Sequence, residues 1–269
     1  MISTLRARIK AHPGLKRLFL AAMRIGSALS WRLDLSVVAR YVGFFGDLRR
    51  FRRAGGKADL LDLYPCLNDR QSSTGIDTHY FHQAIWAFRL IKDSAPARHV
   101  DIASDVNFVG LLTTISNVLF VDFRPLFLTI PNYQGIGATI TSLPFRDNTI
   151  ESLSCLHVIE HVGLGRYGDP LDPKGAEAAC CEISRVLAPG GHAYISVPIG
   201  RSRVSFNGLR VFSPQEVKRL FSPLHLVKVA MVDVPGGFSQ MQDVLSMDIR
   251  ETQGGLDFGL GMFHFTKIS

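Results

Sequence analysis

The chain has 269 residues, a formal net charge of +7 and 46% hydrophobic residues, ample for the core of one large α/β domain, alone or with an extension. Its four cysteines (Cys66, Cys155, Cys180 and Cys181) show no metal-site spacing, and the adjacent Cys180 and Cys181 suit neither a bridge nor a CxxC site. They read as small reduced residues of a cytoplasmic chain, which excludes a disulfide-stapled fold. The charge is uneven: residues 1–57 carry 13 Lys and Arg against Asp34 and Asp47, a net of +11, and the remainder carries a net of −4.

Residues 1–57 are expected to form a basic helical extension, and residues 58–269 the main domain. The longest early apolar run, residues 18–23, is too short for a membrane span of about 20 residues. Two readings stand for residues 1–55. Their helices pack on the domain with arginines outward, or they lie on the anionic inner face of the membrane as a peripheral contact. Nucleic acid is disfavoured, because no recognition motif accompanies the charge. Residues 54–57 (AGGK) read as a linker. Residues 79–91 read as a helix with Phe81, Ile85, Phe88 and Leu90 or Ile91 inward, and with His79, His82 and Gln83 near its start.

Residues 98–103 are the first sheet strand. A helix at 108–116, a second strand at 118–122 and a short third strand at 137–140 follow. Asp122 closes the second strand 21 residues after Asp101. A carboxylate there can accept hydrogen bonds from both ribose hydroxyls of a nucleoside-like cofactor, or it can cap the turn Phe123-Arg124-Pro125. Next come a strand at 150–155, a helix at 176–187 begun by Asp172 and Pro173 and stopped by Pro189-Gly190-Gly191, and a strand at 192–197. Strand, helix of about twelve residues, strand is a parallel βαβ unit, whose chemistry sits in loops at the carboxyl ends of the strands. Ser213-Pro214-Gln215-Glu216 is a capping-box helix start. Strands at 226–232 and 262–267 close the domain, and 236–255 reads as a lid or rim.

The βαβ loop runs from Leu156 to Asp172. His157, Glu160 and His161 within it match HxxEH, a zinc-hydrolase pattern. That chemistry needs both histidines on one face of an α-helix, which the preceding strand and the following Gly163 and Gly165 disfavour, so no metal is expected. Either histidine is suited to act as a general base, with Glu160 orienting it. Asp169 and Asp172 can bind sugar hydroxyls or stabilise the loop. Arg201, Arg203 and Arg210, beyond the next strand, can hold an anionic acceptor or form a solvated loop.

LPFRDNTIESLSCLHVIEHV and EISRVLAPGGHAYISVP resemble the fourth-strand and fifth-strand signatures of class I S-adenosylmethionine-dependent methyltransferases. Over roughly residues 60–269, HYFHQAIWA, LHVIEHVGLGRYGDPLDPKG and RVFSP look like an uncharacterised bacterial family on that scaffold, often associated with surface-polysaccharide biosynthesis. The resemblance implies a Rossmann-like seven-strand sheet, mostly parallel with an antiparallel last strand, and S-adenosylmethionine as cofactor. It places Ala103, Ser104 and Asp105 where the resembled enzymes carry glycines. Thr139 and Ile140 stand at the adenine edge, where an Asp is usual. Asp101, Asp122, Phe123, Leu156 and His82 complete the expected cofactor set. The implied activity is methyl transfer to a hydroxyl of a sugar or glycan precursor. The glycine-poor first loop and neutral Thr139 leave a degenerate scaffold in a glycan-assembly complex as the alternative.

Overall fold

A computed structural model describes residues 35–72, 74–232, 238–240 and 258–268. Residue contacts divide the chain between Gly75 and Ile76. In the first unit, helix α1 (Leu35–Arg53) carries Arg50, Arg52 and Arg53 in its last turn. It stops at residues 54–57, where Gly55 takes φ +89 and the Gly56 N–H returns to the Phe51 carbonyl at 3.0 Å. The expected helices of residues 1–34, and most of the lid at 236–255, lie outside the described residues.

The second unit is a three-layer α/β structure. Its elements are α2 (Thr78–Ser94), β1 (Arg98–Ile102), α3 (Val106–Leu112), β2 (Asn117–Asp122), β3 (Tyr133–Gly137), β4 (Ile150–Leu156), α4 (Gly175–Val186) and β5 (Leu187–Ile199). After them come a hairpin of β6 (Arg203–Ser205) and β7 (Leu209–Val211), then α5 (Pro214–Leu220), β8 (His225–Val232), β9 (Phe238–Gln240) and β10 (Gly259–Thr266). The main sheet runs β3-β2-β1-β4-β5-β10-β8-β9. β3 through β5 pair in parallel, and β10 runs antiparallel between β5 and β8. The expected seven-strand sheet, mostly parallel with an antiparallel last strand, is present, and β9 adds a short edge strand.

Alternation along the strands separates two cores. Ala176, Cys180 and Ile183 of α4 pack with Leu153, Cys155 and Ile195 on one face. Trp86 and Ile91 of α2, with Phe108 and Leu112 of α3, pack with Phe120, Leu156 and Met262 on the other.

Three expectations are corrected. The third strand lies at Tyr133–Gly137, not at 137–140. Two glycines weaken its strand pattern, yet a Cβ at Gly135 would overlap the Leu126 carbonyl oxygen, so glycine is required there. The inward face of α2 is Gln83, Trp86, Ala87 and Ile91, whereas Phe81 and Ile85 are exposed. A polar residue holds this core position because the Gln83 side-chain oxygen accepts from Ser196 Oγ at 2.6 Å. Finally, Pro189-Gly190-Gly191 does not separate helix from strand. α4 ends at Val186 and β5 starts at Leu187, with Gly190 at φ +75 in a bulged stretch that bonds to Lys267.

A buried polar chain joins β1 to β4. His99 contacts Ser152 Oγ at 2.7 Å and Ser154 Oγ at 2.8 Å, and the Ser154 hydroxyl donates to Asp101. Burial pulls His99 down to about 3 and, opposed by Ser154 and Ser104, pushes Asp101 up to about 6. The two shifts act oppositely on stability. The unfolded chain protonates His99 first, so stability falls as pH drops below about 6.5. The folded chain protonates Asp101 first, so stability rises as pH drops through about 6 towards about 4. Asp101→Asn removes the second effect, about 3 kcal/mol in size. Urea denaturation at pH 7 and pH 4 is expected to show a much larger acid loss in the variant than in the wild-type protein; equal losses would refute the opposition.

Candidate functional site

A cavity of about 410 Å³ opens at the carboxyl ends of β1, β2 and β4, a size suited to a small-molecule site. Its walls include Ala103, Ser104, Asp105, Asp122, Phe123, Thr139, Ile140 and Leu156, brought together from four separate segments. His157, His161 and Asp169 line it as well. Asp101 lies one layer deeper, fully buried, accepting from the Ser104 N–H at 3.0 Å. His82 does not line the cavity; it is half-buried and edge-on to Phe81.

The first loop works without glycine in an unusual way. Ala103 takes φ +54, a left-handed conformation that a Cβ disfavours, while its N–H donates to the Val121 carbonyl at 2.9 Å. Ser104 Oγ accepts from the Leu156 N–H at 3.1 Å. Asp105 caps α3 by accepting from the Asn107 and Phe108 N–H groups. At the end of β2, Asp122 Oδ1 accepts from the Arg124 N–H at 2.7 Å, so the turn-cap reading holds and the carboxylate still faces the cavity.

β4 ends in a second left-handed residue. His157 has φ +59, and its N–H is held by the Ser196 carbonyl and hydroxyl at 3.0 and 3.1 Å. A single 3-10 turn, Ile159–His161, then carries Glu160 back beneath the imidazole. His157 Nδ1 hydrogen-bonds Glu160 Oε1, and Glu160 has no exposed surface. A Glu160 carboxylate accepts from Nδ1–H, which assigns that proton; among the described residues, Nε2 and Glu160 Oε2 are both buried without a hydrogen-bond partner. The His79 and Tyr80 rings lie nearly parallel to the His157 ring, at 5.6 and 5.3 Å. Burial lowers the His79 pKa from its ordinary value.

His161 is differently placed. Its Nδ1–H donates to the Gly208 carbonyl at 2.8 Å, its Nε2 stands 3.7 Å from Glu160, and burial lowers its pKa. The two histidines do not sit one turn apart on an α-helix, as the zinc-hydrolase pattern requires. Among the described residues, no group of side chains suits a metal ion.

The acceptor residues separate. Asp169 accepts from the Gly163 and Tyr167 N–H groups, and Asp172 from the Lys174 N–H, so both brace their own loop. Arg210 is buried and bonds to the carbonyls of Val162, Asp172 and Pro173; desolvation lowers its pKa. It therefore positions the loop and does not line the cavity; nor do Arg201 and Arg203. Among the polar wall residues, sequence reasoning missed Tyr80, Arg124 and Tyr167. Tyr80 was signalled only by its place beside His79 at a helix start.

The brace has a glycine at its centre. Gly163 has φ +76, and a Cβ there would overlap the Asp172 carbonyl oxygen. Gly163→Ala is expected to cost about 2–4 kcal/mol by thermal or urea denaturation; a loss below about 1 kcal/mol would show that the brace is soft.

The sheet order with its antiparallel strand beside β5, and a cavity bounded by the first, second and fourth strand ends, decide the fold. This is the class I methyltransferase fold. Solved structures agree. The chain is similar to the N-methyltransferase NodS from Bradyrhizobium japonicum WM9, with 10% identity over 72% of this chain and 98% of that one and a TM-score of 0.51. It is also similar to Burkholderia thailandensis 1,6-didemethyltoxoflavin-N1-methyltransferase, solved with 1,6-didemethyltoxoflavin and S-adenosylhomocysteine, with 14% identity over 72% and 79% and a TM-score of 0.50. At such identities the likeness shows the fold alone. Residues 144–243 match a family model described as "Caenorhabditis protein of unknown function, DUF268". No curated protein matches.

Proposed function

We propose that this chain is an S-adenosylmethionine-dependent methyltransferase acting on a hydroxyl acceptor. The observation that carries the reading is one cavity lined by both Asp122 and His157, with the buried Glu160 hydrogen-bonded to His157. The residues fit the cofactor: Asp122 offers a carboxylate to ribose hydroxyls, Phe123 and Ile140 offer apolar surface to adenine, and the cavity is large enough. When bound, S-adenosylmethionine supplies an electrophilic methyl group on a sulfonium.

The chain's own task is to orient the acceptor and take its proton. In methyl transfer to oxygen, His157 Nε2 would take the acceptor's hydroxyl proton. Glu160 fixes the tautomer and stabilises the imidazolium that results. The left-handed backbone at His157 is strain held by Ser196, at the residue placed to act as base. His161, committed to Gly208, is left with a positioning role.

A sugar or glycan precursor of surface-polysaccharide biosynthesis is the acceptor class we favour, supported by the resemblance of the Leu156–Asp172 segment and by the need for a base. Methyl transfer from labelled S-adenosylmethionine to a panel of sugar acceptors tests it. Failure to bind S-adenosylhomocysteine would favour the scaffold reading.

We also propose that residues 1–55 make a peripheral contact with an anionic membrane. In α1, Val38, Val42, Phe45 and Phe51 are more than half exposed beside Arg49, Arg50, Arg52 and Arg53. No described helix is long and apolar enough to cross a membrane. Deleting residues 1–55 is expected to reduce binding to anionic vesicles, with a salt-sensitive loss of about 1 kcal/mol per basic residue near the surface. Equal binding by both proteins at low salt would oppose it.

A further inference from the structure

Two cations converge on one ring at the solvent end of the cavity. Tyr167 is a wall residue, with the Arg124 guanidinium 4.6 Å and the Arg166 guanidinium 5.2 Å from its ring centroid. The two come from different loops, after β2 and after β4, and both are exposed. Arg166 is held in place: its Nη1 donates to the Gly208 carbonyl at 3.1 Å and lies 3.3 Å from His161 Nδ1. Among the described residues, neither guanidinium pairs with a carboxylate. The nearby Asp169 spends its oxygens on backbone N–H groups.

Like charges gathered on one ring repel, and the ring's quadrupole offsets only part of that cost. An anion bound by both guanidinium groups would offset that cost, and the planar fork of arginine suits phosphate and carboxylate oxygens. The cavity lining also carries the carboxylates Asp105, Asp122 and Asp169, so it presents groups of both signs.

We propose that Arg124 and Arg166 form an anion subsite that binds the phosphate or carboxylate of the methyl acceptor and aims its hydroxyl at His157. This rests on the methyl-transfer reading of the cavity. It replaces Arg210, whose donors are used by the loop backbone. The acceptor class becomes an anionic one, such as a sugar phosphate or a uronic acid.

The test is calorimetry on the full chain saturated with S-adenosylhomocysteine, with glucose 1-phosphate and glucuronate as separate probes. At least one probe is expected to bind. Arg124→Gln and Arg166→Gln should each weaken it by roughly tenfold, and the double variant by a hundredfold or more. Arg89→Gln, an exposed helix position, serves as the control for bulk charge. The better probe identifies the anion as phosphate or carboxylate. The proposal is overturned if the wild-type protein binds neither probe, or if the double variant binds as well as wild type. Absent S-adenosylhomocysteine binding would instead overturn the cofactor reading, and the probes titrated into the protein alone would still decide the anion subsite.

Discussion

Replacing His157 with asparagine is expected to lower methyl-transfer turnover by about 10²–10⁴-fold, with S-adenosylmethionine affinity unchanged. Asparagine is chosen because residue 157 sits at φ +59, where Asn is tolerated better than most side chains. The expectation follows from the hydrogen bonding. Glu160 holds the Nδ1 proton, so the neutral ring can accept a proton only at Nε2, which has no partner among the described residues. His161 provides the contrast. Its Nδ1 is committed to Gly208, so His161→Ala should retain most of the turnover. Steady-state rates with a saturating acceptor distinguish the two, because loss of a base acts on kcat and loss of binding acts on KM. Full turnover in the His157 variant, or a larger loss at His161, would reverse the assignment.

Asp122→Asn is expected to weaken S-adenosylmethionine binding by about 1.5–3 kcal/mol, roughly ten- to a hundredfold. One carboxylate oxygen already caps the turn through the Arg124 N–H, and an asparagine oxygen can keep that bond. The substitution therefore removes the charge and one acceptor while sparing the turn. Chain folding, followed by thermal denaturation, should change little. An affinity within twofold of wild type would remove Asp122 from the ribose site.

The strands now numbered β1, β2, β4 and β5 were legible because their signals are local: apolar runs of strand length, a helix with Ala179, Cys180 and Ile183 on one face, and a capping box at Ser213 that the structure reproduces. Ala103, Ser104, Asp105, Asp122, Phe123 and His157 were legible as wall residues for the same reason, since they sit at the strand ends. What was hidden depends on partners distant in sequence. Gln83 faces inward only because Ser196, 113 positions away, donates to it. β3 needs Gly135 because a loop carbonyl crosses it. Arg210 resembles a free anion ligand until the carbonyls of Val162, Asp172 and Pro173 are found around it. Tyr167 and Arg124 share no motif, and only the fold brings their loops into contact.

The left-handed Ala103 bears on the same question. In the resembled enzymes, glycine lets the backbone approach the cofactor; here an alanine adopts a glycine-like conformation and the neighbouring polar side chains bond within the protein. On the proposed methyl-transfer reading, cofactor recognition falls more heavily on Asp122 and the apolar walls than on the first loop.

The central claim is that this cavity binds S-adenosylmethionine. Calorimetric titration of S-adenosylhomocysteine into the 269-residue chain, run in parallel on Asp122→Asn, tests it most directly. The account expects a single saturable site in the wild-type chain and an affinity at least about tenfold weaker in the variant. No binding to the wild-type protein, or equal binding to both, would contradict it.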